Sequence, residues 1–248
     1  MSGLDTLLCG DAPAEGLAKI ALNQLSKSID SFTGRAVGYL QSDFSEDTRT
    51  FGPFCARVIL ENGCAALLGR LDSFRILYLS EFQSQPEYRL GDRAKSSFSW
   101  TGDVMPDKHS AILWNPDSDV QKVSRALFSS HVDHIYWKPA VNEMLDFVSN
   151  APTNAALADI LSLDADTFID KVRGQSSQLY STLSKGVHWE FFSSSLVFGE
   201  STVKAAIRDS CLLMANLGLA SHFVPTAYAR VTPAKALEAY LAFRQDVP

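Results

Sequence analysis

Between Phe54 and Phe82 the chain reads "FCARVILENGCAALLGRLDSFRILYLSEF", and apolar side chains recur around most of the circumference of a helix drawn through it. A helix with one apolar stripe lies on a surface, whereas one that is apolar nearly all round has to be enclosed by others. Pro53, just before the run, suits the first position of such a helix. No uninterrupted apolar stretch reaches the length of about 18 residues that a membrane span needs. The enclosing material is therefore expected to be protein, and no membrane is implied. With 248 residues, 46% hydrophobic and 20% charged, the chain can build a core of that kind, as one large domain or two modest ones.

The rest of the chain supplies the neighbours. Residues 13–42 place Leu22, Leu25, Ile29, Phe32 and Ala36 at helical spacing, with Gly34 and Gly38 softening the far end. Residues 118–149 carry Val123, Leu127, His131 and Ile135 on one face, with Pro139 interrupting. A short helix follows near 153–161. Asp164 or Asp166 can cap the next one, which is expected to run to Lys185 and stop at Gly186 in a left-handed conformation. Ser201 or Thr202 can open a helix to about Ala220, and Thr232 with Pro233 starts the last, to Arg244. The fold class is mainly α, a bundle of roughly eight helices.

One region departs from this pattern. From 86 to 118 prolines, glycines, serines and scattered aromatics alternate without a steady period. It predicts a long irregular loop or a short extended excursion, and marks a boundary between an N-terminal helical region, 1–105, and a C-terminal one, 106–248, unless the two form a single domain. Within it Arg89, Arg93 and Lys95 interleave with Tyr88, Phe98 and Trp100, a mixture that could stack on single-stranded nucleic acid. Glu87, Asp92 and Asp103 cancel that charge, and a loop pinned to the body by its aromatics is the competing reading. The chain as a whole carries a formal charge of −6. Nucleic acid could bind only through a local patch or through a partner.

Motifs exclude several chemistries. There is no GxxxxGK, HExxH, GxSxG or GxGxxG, and no His-Asp doublet. The four cysteines, at 9, 55, 64 and 211, lack CxxC spacing. Cys55 and Cys64 fall on opposite sides of one helix, so free thiols in a cytoplasmic protein are expected, with no metal and no cofactor. The first residues, "MSGLDTLLCGDAPAEG", have no basic start and no long apolar core, so no secretory leader is expected.

Candidate sites are few. His131 and His134, three apart in "SSHVDHIYWKP", share a helix face and could be two metal ligands, with Asp133 or Glu143 near, or simply a hydrogen-bonded structural pair. If the run from 54 to 82 is one helix, Arg57, Glu61, Asp72 and Arg75 fall within about 60° of one another at 100° per residue. That stripe is either a docking face or a set of paired charges fixing helix register. Beyond Gly186 stand His188, Trp189 and Glu190, with Trp189 expected to fold back over the helix end and His188 to need a partner from elsewhere.

Arg125 and His131 form R-x5-H, which resembles the R-x(4–6)-H signature of the HEPN family of helical ribonucleases. The resemblance implies metal-independent RNA cleavage, with Arg125 steadying the phosphate and His131 moving protons, usually across a homodimer. The stretch "LYSTLSKGVH" at 179–188 is similar to one in helical, HEPN-like proteins of bacterial defence and mobile-element loci. Two functional expectations result. The first is a non-catalytic accessory or adaptor subunit of a multi-component defence complex, partnered with an ATPase or nuclease subunit, with Arg57, Glu61, Asp72, Arg75, Trp100, His188 and Trp189 as its contact candidates. The alternative is a HEPN-like ribonuclease using Arg125 and His131.

Overall fold

The computed structural model describes residues 3–11, 17–73, 76–77, 80, 84, 86, 88–89, 99–101, 126–152, 155–188 and 199–247. The protein is a mainly α-helical bundle, with eight α-helices of four residues or more among these residues. They are α1 (Leu4–Cys9), α2 (Leu17–Gln41), α3 (Glu46–Leu71), α4 (Lys138–Ser149), α5 (Ala158–Leu161), α6 (Ala165–His188), α7 (Glu200–Ser221) and α8 (Pro233–Asp246). Two short strands, β1 (Ser99–Thr101) and β2 (Ala126–Phe128), pair in parallel with Ser99 opposite Ala126 and Thr101 opposite Phe128. β1 gives the region 86–118 a short extended piece, and most of that region lies outside the described residues.

α3 is the enclosed helix its composition calls for. It packs against α1, α2, α6 and α7. Cys55 and Cys64, on opposite sides of it, are 2% and 3% exposed, and all four cysteines are free and buried. By length and composition α3 could cross a membrane, but 61% of its most apolar window is buried within the fold, as befits a core helix. Close approach explains its glycines. A Cβ on Gly63 would lie 2.4 Å from Met214 Sδ, and one on Gly69 would lie 2.7 Å from Ile76 Cδ1.

The ends of α3 differ from the sequence reading. Ser45, not Pro53, opens the helix: its Oγ accepts from Thr48 N at 3.1 Å, and Glu46 and Asp47 sit in the first turn where the helix dipole favours acids. Pro53 lies in the interior, buried, and forgoes a backbone hydrogen bond there. The helix stops at Leu71 rather than near 82. Asp72, at φ −137° and ψ 86°, is its cap residue, and the chain turns so that Ile76 packs back on Gly69.

Three other boundaries also differ from the sequence reading. The segment after 126 begins as strand, so Leu127 does not share a helix with His131. Helix starts only at Ser130, where Ser129 Oγ accepts from Val132 N at 3.1 Å. The turn Ser130–Val132 passes through a π-helical segment, Asp133–Trp137, into α4, and Pro139 sits in the first turn of α4 without interrupting it. Trp137, 1% exposed, donates from Nε1 to Leu127 O at 2.8 Å and ties strand to helix. α6 continues through Gly186 to His188, so the left-handed stop is absent. A helical glycine costs about 1 kcal/mol, and the burial of Leu183 in the core offsets it. α7 is preceded by Gly199 rather than capped by Ser201 or Thr202. Two local signals hold: Asp164 Oδ1 accepts from Thr167 N at 2.7 Å, and Thr232 Oγ1 from Lys235 N at 3.3 Å.

One apolar cluster joins the elements, from Leu4, Leu7 and Leu8 through Leu67 and Leu127 to Tyr240 and Phe243. It draws on residues from both sides of position 105, and the expected boundary itself lies outside the described residues.

Candidate functional site

The charged stripe survives only in its first half. Arg57 Nε donates to Glu61 Oε1 at 2.9 Å, one turn along α3. Asp72 is the cap of that helix, not a continuation of its face, and Arg75 lies outside the described residues. Arg57 has instead a partner the stripe did not anticipate. Its Nη2 donates to Tyr180 Oη at 3.2 Å, and its Cζ stands 4.9 Å from the centroid of the Tyr180 ring. Tyr180 is the second residue of the stretch 179–188, so the surviving part of the charged stripe meets that stretch at the contact between α3 and α6. The arrangement is an ion pair extended by a cation–π contact, which locks two helices in register.

The remaining candidates fall largely outside the described residues. Arg125 and Trp189 lie outside the described residues, as do the side chains of Trp100, His131 and His188. The backbone of Trp100 is in β1, that of His131 in the turn before the π segment, and that of His188 in the last turn of α6. Of the proposed metal group, His134 is exposed, and the Asp133 carboxylate pairs with Arg173 from α6. Among the described residues no three His, Cys, Asp or Glu side chains gather as metal ligands.

Two further places were not foreseen. The first is Arg70, 1% exposed, in the last turn of α3. Among the described residues its partners are neutral: Tyr228 O at 2.9 Å from Nε, Leu7 O at 3.1 Å and Ser221 Oγ at 2.7 Å from Nη1, and His222 Nδ1 at 3.2 Å from Nη2. Leu7 belongs to α1, and Ser221 with His222 closes α7, so the C-terminal ends of α1, α3 and α7 converge on one guanidinium. Neutral acceptors, rather than a carboxylate, satisfy its N–H groups. Burial still lowers the pKa of Arg70 to about 10, leaving it charged at neutral pH.

His222 is the other half of this node. Its Nδ1 accepts from Val231 N at 3.1 Å, which leaves Nε2 to donate to Leu7 O at 3.0 Å. Burial and the neighbouring Arg70 charge push its pKa down to about 3, so the ring is a neutral, fixed tautomer. Cys9 lies beside Arg70, but burial outweighs the cation and holds its pKa up at about 12. Neither group is poised as a base or nucleophile, and the node fastens three helix ends together. Its signal in the sequence was the lone arginine inside "GCAALLGRL".

The second place is an open groove of about 870 Å³ between α4 and α8. Phe147, Phe223, Leu237 and Leu241 form its apolar floor, and Glu143, Asp146 and Glu238 stand around it. The ring of Phe147 meets that of Phe223 at 5.7 Å between centroids and closes the base. The lining contains no lysine or arginine. Among the described residues none of the three carboxylates pairs with a cation. This place can take up an apolar surface and attract positive charge, and it has no paired acid and base for a reaction.

Comparisons with family models, with curated proteins and with solved structures found no match.

Proposed function

We propose that the protein is a non-catalytic helical adaptor, an accessory subunit that holds a segment of another protein. The groove between α4 and α8 carries this reading: it is large, open and apolar, with Phe147 packed on Phe223 at its base. The buried ionisable groups support it as well, since Arg70 and His222 are consumed by hydrogen bonds internal to the fold. A place in a bacterial defence complex beside an ATPase or nuclease subunit is the setting that the resemblance of residues 179–188 adds to this proposal. Size-exclusion chromatography of the purified protein with the products of neighbouring genes tests it. Stoichiometric co-migration is expected, and a protein that neither co-migrates nor oligomerises overturns the reading. The ribonuclease alternative, carried by the Arg125 and His131 pattern, requires RNA cleavage in EDTA that is lost in His131→Ala.

A further inference from the structure

We infer that the groove between α4 and α8 is the docking site for a cationic amphipathic helix of a partner protein. The inference rests on the adaptor reading and names the chemistry of its partner. On α8 the lining positions are Ala234, Leu237, Glu238, Leu241, Ala242 and Gln245, one stripe at helical spacing. At 1.5 Å per residue it is about 16 Å long. From Glu143 on α4 to its cap residue Asn150 the facing wall covers about 10 Å. Two to three turns of helix match that length.

A helix suits the site better than an extended strand. Both walls are helices whose backbone groups are already hydrogen-bonded, so there is no strand edge for a peptide to extend. Ala234 and Ala242 are exposed and small, and let a third helix backbone approach while its apolar side chains reach Leu237 and Leu241. Charge fixes the partner's sign. Glu143 and Asp146 stand on one wall and Glu238 on the other, so lysines or arginines flanking an apolar stripe meet carboxylates on both sides. An acidic helix placed there would be repelled from both.

The test uses the full chain and two synthetic helical peptides of about 14 residues. Both carry leucines at i, i+3, i+4 and i+7; one has lysines on its flanks and the other glutamates. Fluorescence anisotropy is expected to give at least about tenfold tighter binding of the lysine peptide, weakening as salt screens the carboxylates. Ala242→Arg, at an exposed position, is expected to abolish binding. The double reversal Glu143→Lys with Glu238→Lys is expected to favour the glutamate peptide, with thermal melts unchanged for both variants. Equal binding of the two peptides, or binding indifferent to Ala242→Arg, overturns the inference. So does self-association of the free protein that Ala242→Arg removes, because the occupant would then be a second copy of this chain. A neighbouring gene product that co-migrates equally well with the Ala242→Arg variant leaves the adaptor standing and sinks the groove. Charge-selective peptide binding without any co-migrating product does the reverse.

Discussion

At the scale of single residues, the molecule's most unusual expenditure is a buried arginine with only neutral partners among the described residues. Its N–H groups are met by the carbonyls of Leu7 and Tyr228, the hydroxyl of Ser221 and Nδ1 of His222, and His222 completes the arrangement only while uncharged. Around the imidazole stand Arg70 and Arg230, both cations that oppose its protonation. The consequence is a pH dependence whose sign can be worked out. The folded pKa is depressed to about 3, against about 6.5 in the unfolded chain. Below about 6.5 the unfolded state binds a proton that the folded state refuses, so stability falls with falling pH until the folded group also titrates. Between pH 7 and pH 5 the loss from this group is about 2 kcal/mol. In His222→Gln the amide can donate to Leu7 O and accept from Val231 N without titrating. Urea unfolding at the two pH values should show the variant losing about 2 kcal/mol less than the parent. Equal losses in both proteins would mean that the histidine is not held neutral.

At the scale of elements, what decided each boundary was whether the deciding contact was local. The starts at Asp164 and Thr232 were legible because a cap and its amide lie three residues apart. The enclosure of α3 was legible from its periodicity. The stop at Leu71 was not, because it depends on Ile76 returning to Gly69 and on Arg70 being held by residues more than 150 positions away. The candidate site divides in the same way. Arg57 with Glu61 could be read from their spacing, whereas Tyr180 joins them across 123 residues. The groove belongs to two helices distant in sequence, and its only local trace was the pattern of alanine and leucine around Glu238 on α8. Glycines allow the contribution of packing to be measured. Gly218 of α7 crosses α1 so closely that a Cβ would lie 2.8 Å from Leu7 Cβ and 3.2 Å from the Leu7 carbonyl carbon. Gly38 of α2 has nothing within 4 Å. Gly218→Ala is expected to destabilise by about 1–3 kcal/mol through overpacking against backbone. Gly38→Ala should stabilise by about 0.5–1 kcal/mol through helix propensity alone. Thermal melts of the two single variants measure both, and two shifts of the same sign would refute the assigned crossing.

At the scale of the whole molecule, α1 is only six residues long yet meets α2, α3, α7 and α8. Leu4, Leu7 and Leu8 are fully buried, and the carbonyl of Leu7 serves both Arg70 and His222. The first helix of the chain is thus fastened to its last two, and a polar node of three helix ends lies against the apolar core. A chain wired in this way should unfold as one unit, because opening either half strips partners from the other. Leu8→Ala tests this. It removes buried methyl groups beside Gly63 of α3, at a cost of about 2–5 kcal/mol. If the unit is cooperative, amide hydrogen exchange should accelerate in the most protected amides of α2, α4 and α7 alike, by about 30-fold or more. Acceleration confined to peptides from the N-terminal region, with α4 and α7 unchanged, would reveal two independently stable halves. The groove between α4 and α8 would then sit on a unit that α1 does not support, and its stiffness as a docking surface would have to come from the contacts of Phe147, Phe223 and Leu237 alone.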